Sequence, residues 1–137
     1  MANIRFGPAG NSESFSRMGY RNNLQIPDYL EQMGLNAYEY QCGRGVKISQ
    51  ENAQKFGRLA AEKDIQLSLH APYYISMSSL EEEKRQRSVE YVLQSAQAVA
   101  ALGGDRIVIH TGSCGKISRA QALDLCRETM RACIARL

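Results

Sequence analysis

The chain has 137 residues, of which 44% are hydrophobic and 23% charged, and a formal net charge of +3. That length suits one domain with a real core. The charge is too mild for a dedicated nucleic-acid tail, and no apolar run approaches the length that spans a bilayer. Met1 to Arg5 lead into the first predicted strand without a basic and apolar leader, so a soluble, cytoplasmic protein outside the membrane is expected. Cys42, Cys114, Cys126 and Cys133 have no CxxC spacing and are expected to stay reduced.

In chain order, Ile4-Arg5-Phe6 reads as a short strand stopped by Gly7-Pro8-Ala9-Gly10. The polar stretch of about fifteen residues beyond it reads as a long loop. Pro27 to Met33 reads as a helix, with proline at its favoured first position and Gly34 as its C-terminal cap. Leu35 to Gln41 is the second predicted strand, followed by the turn Cys42-Gly43-Arg44-Gly45. Ser49 is placed to cap the next helix, with Glu51 in its first turn and Ala53, Phe56, Leu59 and Ala60 on its buried stripe.

From Ile65 to Tyr74 the sequence is IQLSLHAPYY, in which Ile65, Leu67 and Leu69 alternate with Gln66, Ser68 and His70. Alternation of this kind puts the apolar set on one face of a strand and His70 on the other. The following helix is expected to begin near Ser78 or Ser79, with ion pairs Glu81 to Arg85 and Glu83 to Arg87. Its inward positions are Val89, Val92, Leu93, Ala96, Val99 and Ala100, and Gly103-Gly104 closes it. Arg106 to Ser113 (RIVIHTGS) is the fourth predicted strand, with Ile107 and Ile109 opposing Arg106, Val108 and His110. Ser118 caps a last helix with the stripe Ala122, Leu125, Cys126, Thr129, Met130, Cys133 and Leu137, and the sequence ends inside that helix.

The order βαβαβαβα implies an α/β fold with a parallel sheet and right-handed crossovers. About four of the eight units of a TIM barrel are present, so residues 1–137 are expected to be the N-terminal half of a single barrel domain. The alternative is a complete open sheet with exposed edges. The chain's two histidines each end a predicted strand before a turn, which is where a parallel barrel puts its chemistry. The plain alternative is two core histidines satisfied by their neighbours. Gly112-Ser113-Cys114-Gly115-Lys116 lies between a strand and a helix, with glycine spacing too short for a Walker loop. Gly112 and Ser113 remain candidates for a phosphate or substrate contact through backbone amides. Glu39 is placed either to meet substrate or metal from its strand or to form a buried ion pair. Cys42 and Cys114 fall in turns, whereas Cys126 and Cys133 fall on the core stripe of the last helix.

Four stretches taken together, GPAG, NAYEYQCGRG, LHAPYY and IVIHTGS, resemble the N-terminal half of the endonuclease IV class of apurinic/apyrimidinic endonucleases, a branch of the xylose-isomerase-like barrels. The resemblance implies a zinc-dependent phosphodiesterase that cuts duplex DNA 5′ to abasic sites in base excision repair. Up to three zinc ions are implied for the intact enzyme. His70 and His110 would be two ligands of one zinc, with the other ligands beyond Leu137, so that this chain holds a partial site and is inactive alone. Tyr73 and Tyr74 would insert into the DNA, with Arg44 as their partner from the preceding turn. Two departures are visible: His110-Thr111-Gly112 stands where the family has H-P-G, and Phe6-Gly7-Pro8-Ala9-Gly10 stands where it carries a histidine motif. A sugar isomerase or epimerase of the same barrel class is the alternative activity. A noncatalytic half-barrel that dimerises is a further one, the intact protein being expected as a monomer.

Overall fold

Alternating residues make the strands here, and apolar stripes make the helices that connect them. The computed structural model describes residues 4–137, and Met1 to Asn3, read above as the lead into a strand, lie outside the described residues. The elements are α1 (Glu13–Arg17), a short 3-10 helix (Asn23–Gln25), α2 (Ile26–Gln32), β1 (Ala37–Gln41), α3 (Gln50–Glu62), β2 (Gln66–His70), α4 (Glu82–Ala101), β3 (Ile107–Val108) and α5 (Arg119–Ile134). The strands are parallel and follow the order β1-β2-β3 in one sheet, the α/β pattern of TIM-barrel units. No helix among the described residues is long and apolar enough to cross a membrane.

The chain divides into two compact units. One comprises the residues through Gln41 with Ile48–Leu69 and Ala98–Arg106; the other comprises Cys42–Lys47, His70–Gln97 and Ile107–Leu137.

In the first unit, Phe56 of α3 is fully buried beneath Tyr38 and Tyr40 of β1, with ring centroids 6.0 and 5.7 Å away. Local signals hold as expected: the Ser49 hydroxyl accepts from the Asn52 amide at the start of α3. Gly34, at φ +69°, ends α2 by letting the Leu35 amide donate back to the Leu30 carbonyl. The first predicted strand is corrected. Its pairing with β1 shifts to Phe6–Gly10, where the Phe6 and Pro8 carbonyls accept from β1 and its approach, and Ala9 faces Glu39 in a single bridge. Pro8 has no N–H to donate. Gly7 lies so close to Ala37 that a Cβ would stand 1.6 Å from its carbonyl oxygen. Ile4 and Phe6 stay exposed. The predicted long loop is corrected too, since it contains α1 and the 3-10 helix. Phe15 is buried there against Tyr20 and Tyr29, with both centroids at 5.4 Å, and the Tyr29 hydroxyl lies 2.8 Å from Ser12 and 2.7 Å from Ser14. That aromatic cluster gives a polar stretch its own small core.

The second unit packs Ala71, Ile75, Met77, Val89, Val92 and Cys133 together, with Ile107, Ile109 and Met130 against them. Here α4 begins at Glu82 rather than at Ser78 or Ser79: Met77 and Ser78 are bonded to Thr111 and Ser113, and the Ser79 hydroxyl accepts from the Glu81 amide just ahead of the helix. The Glu83 to Arg87 pair forms at 2.8 Å. The Glu81 to Arg85 pair does not: Arg85 donates to the Ser79 carbonyl at 2.8 Å, and Glu81 pairs with Lys84 at 2.6 Å. Ser88 is buried on α4 and donates to the Lys84 carbonyl, a polar inward position that a stripe of apolar residues does not reveal. Farther along α4, in the first unit, Val99 is buried whereas Ala100 is exposed. The fourth predicted strand shortens to β3, which pairs with β2, and Gly112 at φ +113° breaks the extended run beyond it. A capping box between Ser118 and Gln121 starts α5, which ends at Ile134, so Leu137 lies beyond the helix and is exposed rather than part of the stripe.

Candidate metal centre

His70 is the last residue of β2 and His110 lies just past β3, the first opposite the buried Leu67 and Leu69 and the second opposite the half-buried Ile107 and Ile109. Backbone bonds flank His110 on both sides: the Ala71 amide donates to the Val108 carbonyl at 2.9 Å, and the Met77 amide donates to the Thr111 carbonyl at 2.8 Å. The two rings meet with centroids 4.9 Å apart and Nε2 atoms 3.0 Å apart.

Proton bookkeeping follows from the partners. The Nδ1 atom of His70 lies 2.8 Å from the Ala71 carbonyl. A carbonyl only accepts, so this nitrogen carries a proton, and in the neutral ring the lone pair is on Nε2. In one tautomer the His110 Nε2–H donates to that lone pair; in the other His110 turns a second lone pair to the same point. Two nitrogens held at about 2.0–2.1 Å on a tetrahedral zinc stand about 3.3–3.4 Å apart. The observed pair therefore fits two adjacent ligand positions after opening by a few tenths of an ångström. The bond from Nδ1 to a backbone carbonyl is also the usual outer support of a ligating imidazole. Among the described residues, no third histidine, cysteine, aspartate or glutamate joins the pair.

Beside the pair, Tyr73 and Tyr74 are 65% and 43% exposed, with rings 5.6 Å apart. The Tyr73 amide donates to the Gly43 carbonyl. A Cβ at Gly45 would lie 3.0 Å from the Tyr74 hydroxyl, so the turn that carries exposed Arg44 sits directly against these rings. Sequence reasoning missed Tyr91, whose ring supports Tyr74 edge-on at 4.8 Å. Desolvation first, and then the neighbouring Tyr91 and Tyr73, raise the Tyr74 hydroxyl above its ordinary pKa. Ser113 is exposed, but its carbonyl accepts from the Ser78 hydroxyl at 2.8 Å, and Gly112 presses against Ser76 and Ser78.

Glu39 belongs to the first unit and makes no ion pair among the described residues; its carboxylate accepts from the Gln41 amide at 3.1 Å. It lines an open cavity of about 440 Å³ together with Arg5, Gln66, Ser68 and Arg106. All four cysteines are free thiols. Cys42 is 2% exposed, and burial pushes its thiol up to about 11, which leaves it protonated and unreactive at neutral pH. Cys133 is buried as expected, Cys126 is half-buried and Cys114 is exposed.

The family model of xylose isomerase-like TIM barrels matches residues 27–137. The chain belongs to that family. A 32% identical relative, an uncharacterized protein of Methanocaldococcus jannaschii, aligns over 85 residues, which are 62% of this chain and 30% of the relative. Among solved structures, 3-keto-D-glucoside 4-epimerase from E. coli superposes with a TM-score of 0.71 at 16% identity, covering 98% of this chain and 53% of that one. Endonuclease IV from Thermus thermophilus superposes with a TM-score of 0.63 at 17% identity, covering 95% and 47%. This xylose isomerase-like chain thus spans 30% to 53% of the length of the proteins it matches, and its fold is common to an epimerase and an endonuclease.

Proposed function

We propose that this chain supplies the first two ligands of a zinc-dependent phosphodiesterase that cuts DNA on the 5′ side of abasic sites. The carrying observation is the His70 and His110 pair, with Nε2 atoms 3.0 Å apart and one Nδ1 committed to a carbonyl. Neutral imidazole on a strand end suits Zn²⁺ in both donor type and direction. A bound zinc lowers the pKa of attacking water and stabilises charge on the phosphate. Within this chain, His70 and His110 hold the ion, while the exposed faces of Tyr73 and Tyr74 stack where a base is missing. The Arg44 guanidinium meets a phosphate, and the amides of Gly112 and Ser113 meet another. The remaining zinc ligands come from outside these residues.

The test is nicking of a duplex oligonucleotide with one abasic site by the zinc-loaded, full-length protein, alongside His70→Ala and His110→Ala. Cleavage 5′ to the lesion that needs zinc and is lost in both variants is the expected result. A folded, zinc-loaded protein that leaves the duplex intact contradicts the reading, and epimerisation of a ketose by the same preparation assigns it instead to the sugar enzymes of the family.

A further inference from the structure

We infer that Ser78 and Thr129 are positioning residues for the two histidines, an inference that rests on the metal site proposed above. Ala71 touches both halves of the pair. Its carbonyl holds the His70 ring at 2.8 Å, and its amide holds the strand of His110 through Val108 at 2.9 Å. The segment from Ala71 to Met77 then spans His110 as a bracket, with its far end resting on the Met77 to Thr111 bond of 2.8 Å. The near end lies in the sheet. The far end lies in a loop, where one backbone bond alone would fray.

Two side chains secure that far end. Ser78 is buried and donates to the Ser113 carbonyl at 2.8 Å, which ties the loop after His70 to the loop after His110. The buried Thr129 hydroxyl on α5 lies 2.9 Å from the Met77 carbonyl and 2.9 Å from the Leu125 carbonyl, so its single proton is shared between them. Just upstream, the Ser76 amide donates to the Ser88 hydroxyl at 2.9 Å. Gly112 fills the gap between the two loops without slack, since a Cβ there would meet the Ser78 hydroxyl at 3.2 Å. Loosening Ser78 or Thr129 frees Thr111 to shift against Ala71, and the separation of the nitrogens shifts with it. Partners bonded directly to ligands change metal affinity by about 10- to 100-fold, and supports one bond farther out are expected to act at the low end of that range.

The experiment uses the full-length protein and compares wild type, Ser78→Ala, Ser78→Thr and the near-isosteric Thr129→Val. Zinc affinity is read by competition with a chromophoric chelator, and looseness of the bracket by hydrogen exchange at the Met77 amide. Ser78→Ala and Thr129→Val are expected to bind zinc about tenfold more weakly and to exchange Met77 faster, with Ser78→Thr close to wild type. Faster exchange at Met77 with zinc affinity unchanged overturns the inference alone, because the loop bonds would then be structural only. A wild-type, full-length protein that binds no zinc overturns the metal reading and this inference with it.

Discussion

Alanine in place of His70 or His110 is expected to weaken zinc binding by roughly 10²- to 10³-fold, with the melting temperature nearly unchanged for His110→Ala and lowered by a few degrees for His70→Ala. Structural zinc sites with four ligands bind with about 10–16 kcal/mol, so one ligand carries about a quarter of that, or about 2.5–4 kcal/mol. The two substitutions differ in their cost to the fold. His110 is exposed and its ring packs on that of His70, so its removal disturbs little else. Loss of the His70 ring also removes the donor to the Ala71 carbonyl, which costs about 1 kcal/mol when the carbonyl is left dry. Because a single remaining imidazole holds the ion poorly, the double variant should lose less than the sum of the two single losses. Competition titration beside a thermal melt of each variant checks this. Wild-type affinity in both single variants would mean that zinc sits elsewhere.

The largest effect on stability is expected at Phe56. Its side chain is 0% exposed and contacts Tyr40 edge-on at 5.7 Å and Tyr38 at 6.0 Å. Phe56→Ala removes the ring from a packed site and leaves a cavity, at a cost of about 3–5 kcal/mol. Loss of the aromatic pairings contributes part of this, since each is worth about 0.5–1.5 kcal/mol beyond its buried area. Domains of this kind have total stabilities of about 5–15 kcal/mol, so the variant should be marginal at room temperature. Chemical denaturation should show a lower midpoint at an unchanged slope. A loss below about 1 kcal/mol would show that β1 collapses onto α3 and fills the space.

What the sequence reveals here is what local chemistry decides. The alternation from Gln66 to His70 identifies a strand and its two faces, and Ser49, Ser118 and Gly34 mark helix ends through bonds that close within a few residues. α1 escapes such a reading because Phe15 finds its partners in Tyr20 and Tyr29, so its burial depends on tertiary contact rather than on a helical period. β3 is as short as its pairing with β2, made where the Leu69 and Ala71 amides donate to the Arg106 and Val108 carbonyls, and no pattern within Arg106 to Ser113 encodes where that pairing stops. Arg85 follows the same logic: four-residue spacing offers it Glu81, but the Ser79 carbonyl lies within reach and takes the bond. At the site, the residue types and strand ends of His70 and His110 are legible. Their separation is not, since it is set by Ala71, Met77 and Thr111 through backbone groups that every residue possesses. Tyr91 is likewise hidden among helical positions until Tyr74 is seen resting on it.

X-ray absorption at the zinc edge of the zinc-loaded protein tests the central claim most directly, because it reports the ligand atoms themselves. The expected spectrum has a shell with at least two imidazole nitrogens at about 2.0–2.1 Å, whose ring scattering diminishes in both His70→Ala and His110→Ala. A shell without imidazole nitrogens, or a spectrum that neither substitution changes, would contradict that claim.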